Sequence, residues 1–319
     1  MKRHFFGVVA ALLLFPWLSV NAQQTVTVVP DRTYDKVMES GYLVAAFYED
    51  FPPYSWQEDF TPQGIDVDIA RRIAERMGLE LRTFWISPDE TLEGDLRNAI
   101  GVGHYMRRGN IADILMRVPY DKRYAYQQDE MGNLINEMGV LFGPYSEEQW
   151  RIAYNTQQLD SVNTIAVLQY HPVGVEMASL PETYLSTFMQ GRIRNQVRQF
   201  RNMTDAFDAL AAGDVSAVMG MQGEIDYHLD RLADQPLAQA ETGFPSIGKQ
   251  QWDVGMAVRF TYRQLGYAIE AEIDGMVREG EVAELYHQHN LSWSLPAYYD
   301  QILEPDDAVL ELDNVSIDP

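Results

Sequence analysis

The strongest constraint on the fold is the order in which apolar runs and amphipathic segments alternate along the chain. Residues 41–48 (GYLVAAFY) form an apolar run that predicts a buried strand. In the segment that follows, apolar residues from Ala70 to Met77 lie three and four positions apart, which predicts a helix. Residues 79–86 (LELRTFWI) are then the next strand. Because parallel strands need a crossover connection, this strand–helix–strand order predicts a βαβ unit and a parallel sheet.

The first helix carries signals at both ends. Asp66 is its predicted N-cap, since a carboxylate there can accept a bond from a free backbone N–H, and Asp68 adds a first-turn charge. Gly78 follows the last apolar position and predicts the stop. The loop before the helix, EDFPPYSW, is aromatic and contains two prolines. We expect it to leave the sheet at the carboxyl end of the first strand.

The alternation continues through the rest of the chain. Further strands are predicted at 111–119, 139–145, 164–170, 215–221 and 252–260. Further helices are predicted at 92–100, around 175–177, and at 204–212, 261–278 and 282–289. In the helix at 204–212, Thr204 is the predicted N-cap and Gly213 the stop. Two successive α/β runs of this kind predict an α/β protein with two lobes and mostly parallel sheets.

Two crossovers join the predicted lobes, near Phe142-Gly143 and near Gln251-Trp252. Residues 23–142 and 253–300 then form the first lobe, residues 143–252 the second, and residues 301–319 an acidic tail. Lobes of this kind present loops and helix N-termini to a shared cleft at the carboxyl ends of their strands. Such a protein can close on a small molecule by hinge motion.

The N-terminal residues predict export. Lys2 and Arg3 precede an apolar stretch at 5–14, and small residues at 20–22 form a cleavage site. We therefore expect residues 1–22 to be a cleaved signal peptide and the mature chain to lie in the bacterial periplasm; the alternative is an uncleaved anchor. The absence of cysteine fits an oxidising compartment and excludes disulfides and thiolate metal sites.

The formal net charge of -23 excludes nucleic acid and anionic membrane surfaces as favourable partners. Solubility is the simplest explanation of this charge, and attraction of a basic protein partner is the alternative. His287 and His289 are two positions apart and do not share a helical face at metal-ligand spacing. We predict no metal and no cofactor.

Four stretches resemble the extracellular solute-binding proteins of family 3: FPPYSW, GIDVDIARRIAERMG, ADILMRVPYDKRYAY, and the long run that starts WDVGMAVRF. The resemblance covers about residues 36 to 293. It implies a type II periplasmic-binding-protein fold, a monomer that is not an enzyme, and capture of a small molecule for an ABC-type permease. By the same resemblance Arg123 binds a ligand carboxylate, while Phe51 and Tyr54 contact the ligand body.

Several positions depart from the family pattern. Met116, Val118 and Tyr120 stand where the family has hydroxyl groups, and His171-Pro172 replaces a second pair of them. Met221 stands where an acidic residue would neutralise an α-ammonium. These substitutions predict an anionic ligand with an apolar body rather than an ordinary α-amino acid. The complete predicted set of ligand-binding residues is Arg123, Tyr120, Phe51, Tyr54, Trp56, Gln169, His171, Met221 and Glu224.

Two other functions stay open at this point. The chain is also similar to a subgroup that accompanies PQQ-dependent alcohol dehydrogenases, which implies an accessory protein with a periplasmic oxidoreductase as its partner. The same fold also hosts cyclohexadienyl dehydratases, which need a general acid in the cleft. Glu224, which follows the predicted strand at 215–221 and lies beside Met219 and Met221, is the candidate acid, and the simpler role for it is a helix-start charge.

Overall fold

The computed structural model describes residues 31–125, 127, 128, 131, 132 and 138–299, without the side chains of Lys122 and Arg123. The predicted signal peptide and the acidic tail lie outside the described residues. The helices are α1 (Tyr34–Ser40), α2 (Ile65–Arg76), α3 (Leu92–Leu96), α4 (Lys122–Ala125), α5 (Leu180–Gly191), α6 (Met203–Ala212), α7 (Gln222–Arg231), α8 (Arg263–Arg278) and α9 (Glu281–Gln288). No helix in these ranges is long and apolar enough to cross a membrane.

The strands are β1 (Tyr42–Tyr48), β2 (Trp56–Glu58), β3 (Thr61–Gln63), β4 (Glu80–Ile86), β5 (Ile114–Pro119), β6 (Gly139–Asn155), β7 (Val173–Glu176), β8 (Val197–Phe200), β9 (Ala217–Met221), β10 (Leu237–Gln239) and β11 (Gln251–Arg259). The main sheet has the order β4-β1-β5-β11-β6-β9-β7-β8, with β10 beside β6, and β2 and β3 form a separate hairpin. The outer groups, β4-β1-β5 and β9-β7-β8, are parallel. The contacts made by β6 and β11 are antiparallel.

The two long strands β6 and β11 join two separately packed cores. Their pairing runs from Gln251 opposite Gln149 to Arg259 opposite Gly139, with an irregularity between Val254 and Met256. Packing around the first parallel group includes Phe47, Tyr54, Ile73, Ile269 and Tyr299. Packing around the second includes Leu168, Val175, Leu185, Phe207 and Met219. This is the predicted two-lobed α/β architecture, while the exact lobe boundaries stay a prediction.

Glycine allows the two long strands to approach where β6 passes from one core to the other. Gly143 has φ +56, and a Cβ at Gly255 would lie 2.7 Å from the carbonyl oxygen of Phe142. Both positions lie on the paired strands close to the predicted crossovers. The backbone therefore needs residues without a side chain at this point.

Two element predictions in the second half were wrong. Residues 164–170 were predicted to be a strand, but Ile165–Gln169 is a 3-10 helix whose Ile165 and Leu168 are buried. That three-residue spacing matches the 3-10 period. The helix predicted around 175–177 is instead the end of β7. Gly174 fits there because its missing Cβ leaves room for the ring of Phe200.

Two N-cap predictions were also wrong. Helix α2 begins at Ile65 with Gly64 as its N-cap, where φ is +114 and a Cβ would overlap the carbonyl of Tyr54. Asp66 lies inside the helix, 1% exposed, because it is paired with a buried arginine described below. In α6 the cap is Asn202, whose side chain accepts the N–H of Asp205 at 2.8 Å. The last two helices differ from their predicted ends by one or two residues.

Candidate ligand-binding cleft

A cleft of about 670 Å³ lies at the carboxyl ends of the parallel strands of both halves. The first half contributes the residues that follow β1 and β5, and the second contributes the residues at the ends of β7 and β9. The long strands close its inner side with Trp150 from β6 and Trp252 from β11, whose ring centroids are 4.8 Å apart. Phe51 also lines the cleft. The cleft is therefore bounded by aromatic surface contributed by both halves.

Arg117 lies at the floor of this cleft. It belongs to β5, is 7% exposed, and has the unusual φ of +56. Its Nε donates to Asp66 at 2.7 Å and its guanidinium is 3.3 Å from Glu148. The guanidinium also lies 3.3 Å above the ring of Tyr54. A non-glycine residue at positive φ is strained, and these contacts hold it in place.

Two buried tyrosines complete the network around Arg117. Tyr54 donates its hydroxyl to Glu148 at 2.7 Å, and Tyr145 donates to Asp66 at 2.9 Å. Burial raises the pKa of Asp66 and of Glu148 more than Arg117 lowers it. The charge of Arg117 is thus matched by carboxylates within the protein.

A side pocket of about 310 Å³ adjoins the cleft and shares Asp50, Phe51 and Glu176 with it. Its other walls include Trp56 from β2, together with Glu224 and Tyr227 from α7. The ring centroids of Trp56 and Tyr227 are 6.0 Å apart, so the two halves contact each other at this pocket.

Glu224 is fully buried in this side pocket. Burial, together with the nearby charge of Glu176, raises its pKa to about 8, although the backbone N–H of Met221 donates to it at 2.9 Å and opposes the shift. At neutral pH the side chain is therefore mainly protonated. It serves as part of the capping box of α7 and also offers an acid group to the pocket.

His228 forms another part of the wall of the side pocket, one turn along α7 from Glu224. Its Nδ1 accepts a bond from Arg231 Nε at 3.2 Å, so the proton of the neutral ring resides on Nε2. Burial lowers the pKa of His228 to about 3, which keeps the ring neutral. Among the described residues, Nε2 is the buried side-chain polar atom that has no hydrogen-bond partner.

The structure places the predicted ligand-binding residues in different surroundings. Met221 lines the cleft, Trp56 and Glu224 line the side pocket, and Phe51 lines both. Tyr54 was predicted to stack on the ligand, but it is 0% exposed beneath Arg117 and supports the floor from below.

The other predicted residues lie elsewhere. Tyr120 packs edge-on against Tyr298 with ring centroids 5.7 Å apart. Gln169 ends the 3-10 helix, and His171 precedes β7, so both lie on the side of that strand opposite to its carboxyl end. Arg123 lies in α4 after β5, which is the predicted backbone position, but its side chain is outside the described residues.

The residues missed in the second half are those that follow β7. Glu176, Met177, Ser179 and Leu180 line the cleft, whereas the sequence interpretation had placed the equivalent loop eight residues too early. The sequence contains the signal that could have located it. Ser179 accepts the N–H of Glu182 at 3.3 Å, which is the start of a capping box directly after an apolar run.

In the described ranges no group of three or more His, Asp or Glu side chains is arranged to hold a metal ion. His289 contacts Asp68 at 2.7 Å instead.

An aromatic cleft at the strand ends of two α/β halves that share two long strands is the architecture of a type II periplasmic binding protein. Residues 43–292 match the bacterial extracellular solute-binding proteins, family 3, and the chain belongs to that family. The match includes both halves and both connecting strands.

Solved structures with the same fold include amino-acid-binding proteins. An ancestral cationic amino acid solute-binding protein (AncCDT-1) superposes with a TM-score of 0.61 and 17% identity, over 80% of this chain and 97% of that one. An amino acid ABC transporter substrate-binding protein from Streptococcus pneumoniae, bound to L-arginine, gives a TM-score of 0.58 and 19% identity, over 82% and 98%. A mutant of the arginine-binding protein from T. maritima gives 0.55 and 20%, over 80% and 97%.

One curated relative is an enzyme. The cyclohexadienyl dehydratase of Pseudomonas aeruginosa is 35% identical over 80 residues, which is 25% of this chain and 27% of the dehydratase. The similarity therefore spans about a quarter of either protein.

Proposed function

We propose that this protein captures a small organic ligand in the cleft by hinge closure and presents it to an ABC-type transporter. The observation that carries the proposal is that both halves contribute walls to one aromatic cleft while, in the part of the chain that the structure describes, the sheet connection between them is formed by β6 and β11. Two strands can bend without disrupting either core, so the cleft can close around a ligand. The solved relatives described as substrate-binding proteins of ABC transporters support the same role.

We further propose that the ligand bears a carboxylate that Arg123 binds in a bidentate manner. Arg117, the buried arginine nearby, is already matched by Asp66 and Glu148, so an anion needs a second cation. Arg123 lies in α4, the short helix that follows β5, at the carboxyl end of a strand that borders the cleft. Aromatic walls favour an apolar ligand body over a strongly hydrated one. The predicted signal peptide would place the protein in the periplasm, where such a receptor meets its ligand.

A thermal-shift screen of the mature protein against carboxylic acids, amino acids, amines and alcohols tests this function. A ligand at a hundredfold its Kd stabilises the fold by about 2.7 kcal/mol, which raises the Tm by several degrees. Replacing Arg123 by alanine should weaken binding of a carboxylate hit about ten- to hundredfold, because a charge-assisted bond is lost. Arg108→Ala, which changes an exposed loop arginine, is the matched control. Unchanged affinity in Arg123→Ala would exclude the clamp.

A dehydratase is the second candidate function, and one observation favours it. Glu224 is a buried acid that keeps its proton at neutral pH beside the cleft, which is the property needed to protonate a leaving hydroxyl. Incubation with a hydroxylated cyclohexadienyl carboxylic acid, whose ring becomes aromatic when it loses water and carbon dioxide, should then produce aromatic absorbance, and Glu224→Gln should abolish it. The absence of product at high protein concentration would exclude this activity. The accessory-protein hypothesis stays a prediction, and it would gain support if no compound in the thermal-shift screen bound.

A further inference from the structure

Residues 290–299 contact both halves of the protein, and this segment is called the C-terminal strap below. It follows α9, runs across the two long strands and ends in the core of the first half. Residues 293–299 lie beyond the residues 43–292 that match the family. The family match therefore does not account for most of the strap, and its contacts need an explanation of their own.

The strap is anchored in the first half close to both of its ends. Leu291 is 6% exposed and packs in the core that includes Phe47 and Ile73. Tyr299 is fully buried in the same core, and its hydroxyl donates to the carboxylate of Asp274 on α8 at 2.6 Å. Because exposing two buried apolar side chains is unfavourable, the strap moves with the first half.

Between these anchors the strap first contacts β6. The indole N–H of Trp293 donates to the carbonyl oxygen of Tyr145 at 2.9 Å, and the backbone N–H of Glu147 donates to the carbonyl oxygen of Ser294 at 3.1 Å. Both contacts lie two to four residues after Gly143, where β6 passes from one core to the other. The strap is thus bonded to the connecting strand at the place where it would have to bend.

The strap then contacts β11, the second connecting strand. The carboxylate of Asp253 accepts the backbone N–H of Ala297 at 2.9 Å and that of Tyr298 at 3.1 Å. Asp253 is opposite Glu147 in the pairing of the two strands and lies two residues before Gly255. The same short segment therefore holds both strands on either side of their closest approach.

The first residues of the strap bond to the second half. The backbone N–H of Ser292 donates to the carboxylate of Asp226 at 2.8 Å, and the side-chain amide of Asn290 donates to Asp230 at 3.2 Å. Both acids belong to α7, whose Ile225 packs in a core of the second half. A hydrogen bond is lost when its atoms separate beyond about 3.5 Å. Rotation of one half away from the other therefore breaks these two bonds.

The halves are in contact across the cleft in the same arrangement. Lys249 of the second half lies 2.9 Å from Asp121 of the first, and both line the cleft. The ring centroids of Trp56 and Tyr227, 6.0 Å apart, belong to opposite halves. The bonds from the strap to α7 are therefore present in a closed arrangement of the cleft.

We propose that the C-terminal strap is a latch for the hinge, whose bonds from Ser292 and Asn290 to α7 stabilise the closed arrangement and break when the cleft opens. The inference rests on the proposed function, because it concerns the motion by which the cleft closes. It goes beyond closure by a ligand, since contacts within the chain itself favour the closed arrangement. Hydrogen bonds to charged acceptors are stronger than those between neutral groups, so the loss of two of them shifts the equilibrium between open and closed forms.

The distance between two spin labels, measured by pulsed EPR, tests the latch in the mature protein. The chain contains no cysteine, so labels attach only where cysteine is introduced. Glu58→Cys and Arg201→Cys place the labels at exposed positions of the first and second half. We expect one narrow distance distribution, with the open form below about 10% of the molecules.

Asp226→Ala combined with Asp230→Ala removes both acceptors while keeping a strong helix former at each position of α7. The ratio of open to closed molecules should rise at least about tenfold, so that a second, longer distance appears. Asn290→Gly retains the left-handed backbone, whose φ is +56, and removes one of the two bonds, so its ratio should be intermediate. The control is Asp208→Ala, which removes an exposed acid paired with Arg231 inside the second half and should leave the distribution unchanged.

Identical narrow distributions in the parent and the double variant would overturn the latch, and so would a parent protein that is already mainly open. Urea unfolding of each labelled protein distinguishes opening from loss of the fold, and Asn290→Gly, which changes no residue of α7, decides the matter if the double variant does not fold. Either negative result leaves the proposed function intact, since the thermal-shift screen tests that function separately. A screen without hits, combined with a longer distance in the double variant, would exclude the function and retain the latch.

Discussion

Replacement of Arg117 by methionine tests the central network of the structure. Methionine preserves most of the apolar stem, so the change mainly removes the charge. It leaves Asp66 and Glu148, which are 1% and 5% exposed, buried without the cation that lies 2.7 Å and 3.3 Å from them. Removing one partner of a buried ion pair costs about 3–5 kcal/mol, because the remaining charge is uncompensated. The stacking contact with the ring of Tyr54 is lost as well.

The pKa shifts of Asp66 and Glu148 predict how the destabilisation by Arg117→Met changes with pH. Burial already raises the pKa of both carboxyl groups, and without Arg117 it should rise further. A folded-state pKa above the unfolded value favours folding at low pH, and this contribution is lost as the pH rises through the folded value. The destabilisation by Arg117→Met should therefore be largest near pH 8 and smaller near pH 5, where the carboxyl groups can take up protons.

Equilibrium urea unfolding followed by tryptophan fluorescence measures the effect, with the free energy of unfolding compared at both pH values. Lys249→Met is the matched control. Lys249 Nζ lies 2.9 Å from Asp121 in an ion pair, but the lysine side chain is about half exposed to solvent. Its loss should cost less than about 1 kcal/mol. A cost below about 1 kcal/mol for Arg117→Met at pH 8 would refute the argument that this arginine compensates two buried charges.

Three further changes probe the contact between the halves and the side pocket. Gly223→Ala should destabilise the protein by about 1–3 kcal/mol in thermal unfolding, because the added Cβ would lie 2.7 Å from the buried Tyr54 hydroxyl. The control is Gly243→Ala, where an added Cβ has no atom within 4 Å, and it should change the free energy of unfolding by less than about 0.5 kcal/mol. Glu224→Gln should remove the part of the stability that declines as the pH rises from about 4.5 to about 8, so its unfolding free energy should vary less over this range than that of the parent protein; an unaltered profile would contradict the assigned pKa. His228→Phe should leave the ligand-free fold as stable as before or more so by chemical denaturation, since it removes an unpaired buried donor, and a loss above about 2 kcal/mol would show that Nε2 has a partner.

Much of the fold follows from local patterns in the sequence. The apolar run of β1, the three- and four-residue spacing in α2, and the run of β5 were sufficient to predict a parallel α/β half and the position of its cleft. The structure places Phe51 of the proline-broken aromatic loop beside the cleft and Trp56 in the side pocket, while their contact with a ligand stays a prediction. These features depend on the periodicity of neighbouring residues, which a sequence shows directly.

The second half was less predictable because its elements are short. A four-residue strand such as β7 has too few positions to show an alternation of apolar and polar residues. The 3-10 helix before it contains a longer run of apolar residues, which is more easily mistaken for a buried strand. As a result the interpretation assigned the cleft loop to Gln169 and His171, eight residues before the loop that reaches the cleft at Met177 and Ser179.

Only the tertiary structure decided which charged groups meet. Asp66 and Asp68 look alike on one helix, yet Asp66 is buried against Arg117, which is 51 residues away, while Asp68 lies at the surface near His289. Glu224 gains its high pKa from burial and from Glu176, 48 positions earlier in the sequence. Hydrophobic periodicity records how each segment faces the core, whereas charge pairing depends on the distances between segments, and those are set when the strands and helices pack.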